Sequence, residues 1–242
     1  MNIFSLYKLR MSVLFRNSIL IIPIVATVVF LGTMYSMPPF QVSGSFLLSG
    51  LFLFVISLYI SVCIQDREND VHEEVMLLHS RSFINYYISR ELVLLSCMLV
   101  FAAILTIFPG IKYMNDSTNF SRPLVPFDTL YGGMIILING LCGISVGDLF
   151  HQRIISRRRD RLIAVIFVSV VAVCKHSLIH SFVFLKFLNI FLPPIIDGFD
   201  MVGNTDIFDE MGTIKILIHT LIFVAVVTLI KIKILLYKKY NS

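Results

Sequence analysis

Residues Phe46–Ile64 read FLLSGLFLFVISLYISVCI, and the stretch that follows, Gln65–Glu91, reads QDRENDVHEEVMLLHSRSFINYYISRE. The first stretch holds no charge and is about as long as the roughly 20 apolar residues a helix needs to cross some 30 Å of hydrocarbon. The second is a dense polar interruption before the next apolar run. The same alternation runs through the whole chain. Further apolar runs cover Ser18–Met34, Leu92–Ile111, Thr129–Phe150, Leu162–Ser181 and Ile214–Tyr237. The 242 residues are 57% hydrophobic and only 14% charged, where soluble domains carry about a quarter charged residues, and the mean hydropathy is +0.87. The runs are continuous rather than alternating, so helices and not a barrel are expected. The expectation is an all-α polytopic membrane protein: one transmembrane domain over residues 1–242 with six spans.

Lys and Arg set the orientation. With the N-terminus inside, six crossings return the C-terminus to the same side. Fifteen of the 20 basic residues then fall on that side. Among them are Lys8, Arg10 and Arg16, the cluster Arg153, Arg157, Arg158, Arg159 and Arg161, and Lys238 and Lys239 near the end. This follows the positive-inside rule, and places both termini in the cytoplasm of a plasma membrane, expected to be bacterial. The net charge of +5 then reflects topology and anionic lipid rather than nucleic acid. The first apolar run begins only at Ser18 and no small-residue cleavage site follows it, so no cleavable signal is expected. Asn115-Asp116-Ser117 and Asn119-Phe120-Ser121 match a short and common glycosylation pattern.

Three pieces between the spans carry pattern. Residues 2–17 form an amphipathic helix with Ile3, Phe4, Tyr7, Met11, Leu14 and Phe15 on one arc, fit to lie along the membrane interface. Within 65–91, a helix starting near Val71 aligns Val71, Val75 and Leu78 at i, i+4 and i+7, with Glu73 and Glu74 off that face. His79-Ser80-Arg81 interrupts the pattern, and a second helix from Phe83 leads into the third span. An apolar stripe beside so many acids disfavours anionic lipid and points to a protein partner. Residues 182–213 begin strongly apolar, break at Pro193-Pro194 and turn acidic, as a re-entrant segment on the outer side would.

Within the spans, Gly140, Gly143 and Gly147 form a small-residue face for close helix approach. Asn139 should face protein or a water-filled path, and Asp148 should reach the interface beside the Arg153–Arg161 cluster. No fixed charge pair is expected deep in the spans. Cys63, Cys97, Cys142 and Cys174 read as small buried hydrophobes, with no metal or disulfide spacing. His72-Glu73 opens like a zinc motif, but Met76 stands where the second His would be. No nucleotide-binding Gly-rich pattern occurs, so the chain is not expected to hydrolyse nucleotide by itself or to bind a cofactor of its own.

In order along the chain, these features resemble the transmembrane subunit of a type-2 ATP-binding-cassette exporter. Members of that family carry an interfacial N-terminal helix, six spans with both ends inside, and an acidic loop after span two. Here Asp66-Arg67-Glu68, Glu74, Leu77 or Leu78, and Ser80-Arg81 stand at the loop's motif positions. The resemblance implies a permease that pairs with a second, identical or similar permease and docks a separate cytoplasmic ATPase holding ATP and Mg. The docking element would be a coupling helix built from Asp66, Arg67, Glu68, Val71, Glu73, Glu74, Val75, Leu78, His79, Ser80 and Arg81. A hydrophobic peptide, antimicrobial or lipid-like compound would be the cargo. One alternative is a membrane sensor or assembly protein using the same loop. Another is an intramembrane serine protease resembling the rhomboid family, through Ser145 and His219. Their depths count against that pairing: Ser145 lies about 24 Å and His219 about 8 Å below the outer ends of their spans at 1.5 Å per residue.

Overall fold

The structure, a computed structural model, describes residues 3–67, 76, 83–151, 154–155, 157–181, 192–202 and 206–240. All regular elements among them are helical. In chain order they are α1 (Ile3–Arg16), α2 (Ile21–Met34), α3 (Val42–Arg67), α4 (Phe83–Asn115), α5 (Pro126–Leu149), α6 (Arg158–Val173), α7 (Lys175–Ser181), α8 (Asp197–Val202) and α9 (Glu210–Tyr240), with a 3-10 turn at Ser117–Asn119.

Four of these helices, α3, α4, α5 and α9, are long and apolar enough to cross a membrane. The bent pair α1 and α2 would make a fifth if counted as one span. The chain bends by 68° between α1 and α2, at a junction where Ser18 takes a left-handed φ of 53°. The 14 residues of α2 rise only about 21 Å, short of a full crossing. The expected fifth span is divided: α6 stops at Val173, and Cys174 separates it from the 7-residue α7. Cys174 is therefore exposed while Cys97 and Cys142 are buried, which corrects its expected burial. The third span is longer than its apolar run, because Phe83–Glu91 continues into it as one helix.

The bundle is centred on α5. Its most apolar window is 72% buried, against 22% for α9, so α5 is the core helix and α9 a peripheral one. The glycines explain how α5 comes so close to α3. A Cβ on Gly143 would stand 2.3 Å from the Phe54 carbonyl oxygen, and one on Gly147 would stand 2.8 Å from Ser61 Cβ. Gly140 meets Met98 of α4 and Leu53 of α3. Asn139 is buried and lies against Gly50 of α3, so it faces protein. In α1 the face turned to the bundle is Leu6, Arg10 and Leu14, whereas Phe4 and Phe15 point outward. Part of the expected apolar arc is thus left uncovered by the bundle.

Opposite the Arg158 end, the connections are clasped by one carboxylate. Asp206 accepts hydrogen bonds from the Val42 N–H at 3.2 Å, the Ser43 N–H at 2.8 Å and the Ser121 hydroxyl at 2.6 Å, and from the Ser43 hydroxyl. It thereby caps the start of α3. Arg122 donates from Nε to the Asp206 carbonyl at 2.7 Å and forks onto both oxygens of Asp128 at 2.7 Å. Burial by itself would raise the Asp206 carboxyl. The bonds from Ser121, Ser43 and Val42 outweigh it and hold the group below the ordinary carboxylate value.

Candidate functional site

At the Arg158 end, four helices bring charge together in the interior. Asp148 lies in the last turn of α5 and is buried. Its Oδ1 accepts from Arg90 Nη2 of α4 at 2.5 Å and from Gln65 Nε2 of α3 at 3.1 Å. Its Oδ2 pairs with Lys231 Nζ of α9. Lys231 also reaches Glu91 Oε1 of α4 at 2.5 Å, and Gln65 Nε2 donates to the Gly147 carbonyl at 2.9 Å. Arg90 is fully buried and Lys231 is 3% exposed. Charges this deep persist only when paired and hydrogen-bonded. Here α3, α4, α5 and α9 are tied at one level by one carboxylate and its partners.

This network corrects two expectations. Asp148, expected at the interface beside the Arg153–Arg161 cluster, turns inward to Arg90 and Lys231. Charge pairs are also present within the helices. The physical reason is that Arg90, Glu91 and Lys231 each look like flanking, solvated charges when only their own segment is read. The signal that could have found them is the continuing apolar pattern around them, Tyr86 and Tyr87 before Arg90 and Leu235 after Lys231. It places the charged residues about two turns inside a helix rather than beyond its end.

Around the network lies an aromatic layer. The Arg10 guanidinium sits 4.4 Å over the Tyr86 ring, Tyr86 and Tyr87 meet edge to face with centroids 5.2 Å apart, and Tyr87 stands 5.9 Å from His151. Tyr86, Tyr87 and Leu235 form a small buried cluster on which Met76 and Ile154 pack. Met76 is the one described residue of the acidic segment's interior.

Of the expected docking residues, Asp66 and Arg67 close α3. Asp66 is engaged within the chain: Arg158 Nε donates to it at 2.9 Å and Arg161 pairs with it as well, tying α3 to α6. Glu68, Val71, Glu73, Glu74, Val75, Leu78, His79, Ser80 and Arg81 lie outside the described residues, as do His72, residues 182–191 and residues 203–205. The remaining described part of the expected outer segment, residues 192–202, packs inward. Ile195 is buried in one cluster with Phe54, Cys142, Val146 and Phe223, and Gly198 lies against Leu47 and Ile135. Lys175 Nζ meets Asp197 Oδ1 there at 2.5 Å, with His219 Nδ1 3.9 Å from the other oxygen. Ser145 donates its hydroxyl to the Leu141 carbonyl at 2.9 Å.

Beside the network, between α4 and α9 with α5 behind, is a cavity of about 220 Å³ lined by Glu91, Asp148 and Lys231 and by Leu95, Ile144 and Val224. Among the described residues no group of three or more His, Cys, Asp or Glu could hold a metal ion. No family model, curated protein or solved structure matches the chain.

Proposed function

We propose that the chain is a permease subunit of an ATP-driven exporter of the type-2 ATP-binding-cassette kind, embedded six-span in the plasma membrane with both ends cytoplasmic. In this reading residues 182–213 form the re-entrant outer segment, a second permease completes the path, and residues 66–81 receive a separate ATPase. One observation carries the reading more than any other. Met76, inside the acidic segment, packs on Tyr86, Tyr87 and Leu235, and Tyr86 in turn lies under Arg10 of α1. A push on the acidic segment would therefore act on α1, α4 and α9 together. These are the discrete rigid elements, differing in contact between two states, that a coupled switch requires. The inward packing of Ile195 among mid-helix residues of α3, α5 and α9 supports a re-entrant outer segment, because non-helical backbone at that depth must be covered by protein.

The test is co-purification in mild detergent. The chain is expected to bring down a nucleotide-binding ATPase, and reversing Glu73 and Glu74 to Lys is expected to abolish the association while leaving the permease folded. Recovery of the chain with no ATPase, or with partners indifferent to the charge reversal, would leave a sensor or assembly role in its place.

A further inference from the structure

We infer that His219 and Asp197 form a proton-binding site that fastens α9 to the segment 192–202 when His219 is charged. The inference goes beyond the transport reading and does not depend on it.

The packing of α9 decides where His219 stands. The buried stripe of that helix includes Ile216, Thr220, Phe223 and Val227, at i, i+4, i+7 and i+11. His219 lies at the edge of the stripe, one turn before Phe223, and its side chain is 31% exposed. Asp197 opens α8, two residues after Ile195, which is buried in one cluster with Phe54, Cys142, Ala172 and Phe223. The shared burial of Ile195 and Phe223 thus brings the carboxylate to the imidazole.

The two oxygens of Asp197 differ in their partners. Oδ1 meets Lys175 Nζ of α7 at 2.5 Å, and the lysine side chain is only 3% exposed. Oδ2 has His219 Nδ1 at 3.9 Å. That is longer than the roughly 3.2 Å reached by an N–H···O hydrogen bond, so a neutral ring is not bonded to the oxygen. It is within the about 4 Å of an ion pair, so a protonated ring pairs with it. One carboxylate with a cation on each oxygen is also how Asp148 holds Arg90 and Lys231. Among the described residues, Cys142 of α5 is a further titratable group near Lys175 and Asp197, and it is buried. Here α3 presents Leu51 and Phe54, and α6 presents Val168 and Ala172. Lys215, one turn before His219 on α9, and His176, next to Lys175 on α7, are both exposed.

The consequence falls on α9. It is the least buried of the four long helices, so one added ion pair is a larger share of its attachment than of any other's. Histidine is the side chain whose charge changes between about pH 5 and 8. The pairing belongs to the protonated ring, so it is present at low pH and lost as pH rises through that range.

The experiment is hydrogen–deuterium exchange of the full chain in mild detergent at about pH 5.5 and about pH 7.5, corrected for the intrinsic pH dependence of amide exchange. Peptides covering residues 192–202 and 213–223 are expected to exchange about threefold more slowly at the lower pH, the size of one partly exposed ion pair. His219→Gln keeps the Lys175–Asp197 pair and should exchange at the parent's faster rate at both values. His219→Lys carries its charge throughout and should exchange at the slower rate at both. Asp197→Asn combined with Lys175→Met leaves no lone buried ion and should also lose the pH difference. A Lys175–Asp197 pin with no role for a proton would give a parent whose corrected rates do not change with pH, and that result overturns the assignment. So does a pH difference that survives in His219→Gln or in the double variant, or slower exchange at the higher pH.

Discussion

Replacing Gly143 by Ala tests the seam on which the bundle is built. The new Cβ would stand 2.3 Å from the Phe54 carbonyl oxygen and 3.0 Å from Ser57 Cβ. The first contact is about 1 Å short of the roughly 3.3 Å at which carbon rests against a carbonyl oxygen. The obstructing atom is backbone, so no rotamer change relieves it, and α3 and α5 must part. Overpacking of this kind costs about 1–3 kcal/mol. Ala also gains about 1 kcal/mol over Gly in a helix, which masks part of the loss. Gly110 of α4 supplies the control, because a Cβ there meets nothing within 4 Å. Gly110→Ala should show the helix gain alone. The two variants should therefore differ by about 1–3 kcal/mol, or roughly 2–12 °C in melting temperature at about 2–4 °C per kcal/mol for a chain of this size. Thermal melts followed by helical circular dichroism in mild detergent read this directly. If Gly143→Ala melts at or above Gly110→Ala, the close α3–α5 approach is wrong and the role given to the glycines goes with it.

Asp148→Asn removes the charge that Arg90 and Lys231 share and should destabilise the fold by about 3–5 kcal/mol, the range for breaking a buried pair; a loss below about 1 kcal/mol in the same melt would mean that the network does not tie the helices. Asp206 gives a pH signature. Its folded value lies below the ordinary carboxyl value, so its contribution is complete above about pH 4 and is lost as pH falls through the folded value. Asp206→Asn, whose side chain tolerates the left-handed φ of 53° found there, should therefore melt below the parent at about pH 7, with the gap narrowing as pH falls below about 4. A gap independent of pH would show that the clasp is not electrostatic.

The apolar runs by themselves determine that the chain is helical with several helices long and apolar enough to cross a membrane, because 57% hydrophobic composition in unbroken stretches favours helices that satisfy their own backbone. Gly140, Gly143 and Gly147 are legible for the same local reason: a missing side chain at helical spacing marks a close approach whatever the partner. The break at Cys174 had a local signal, since Lys175-His176-Ser177 follows it directly, but a short polar interruption inside a span-length run does not by itself fix a bend. The destination of Asp148 was not legible. A charged residue near the end of an apolar run looks solvated until its neighbours are known, and those neighbours, Arg90 and Lys231, lie 58 and 83 residues away along the chain. Pairing across such separations is decided by how helices pack, so only the tertiary structure could turn three flanking charges into one buried knot, or show that Asp206 caps a helix 163 residues before it.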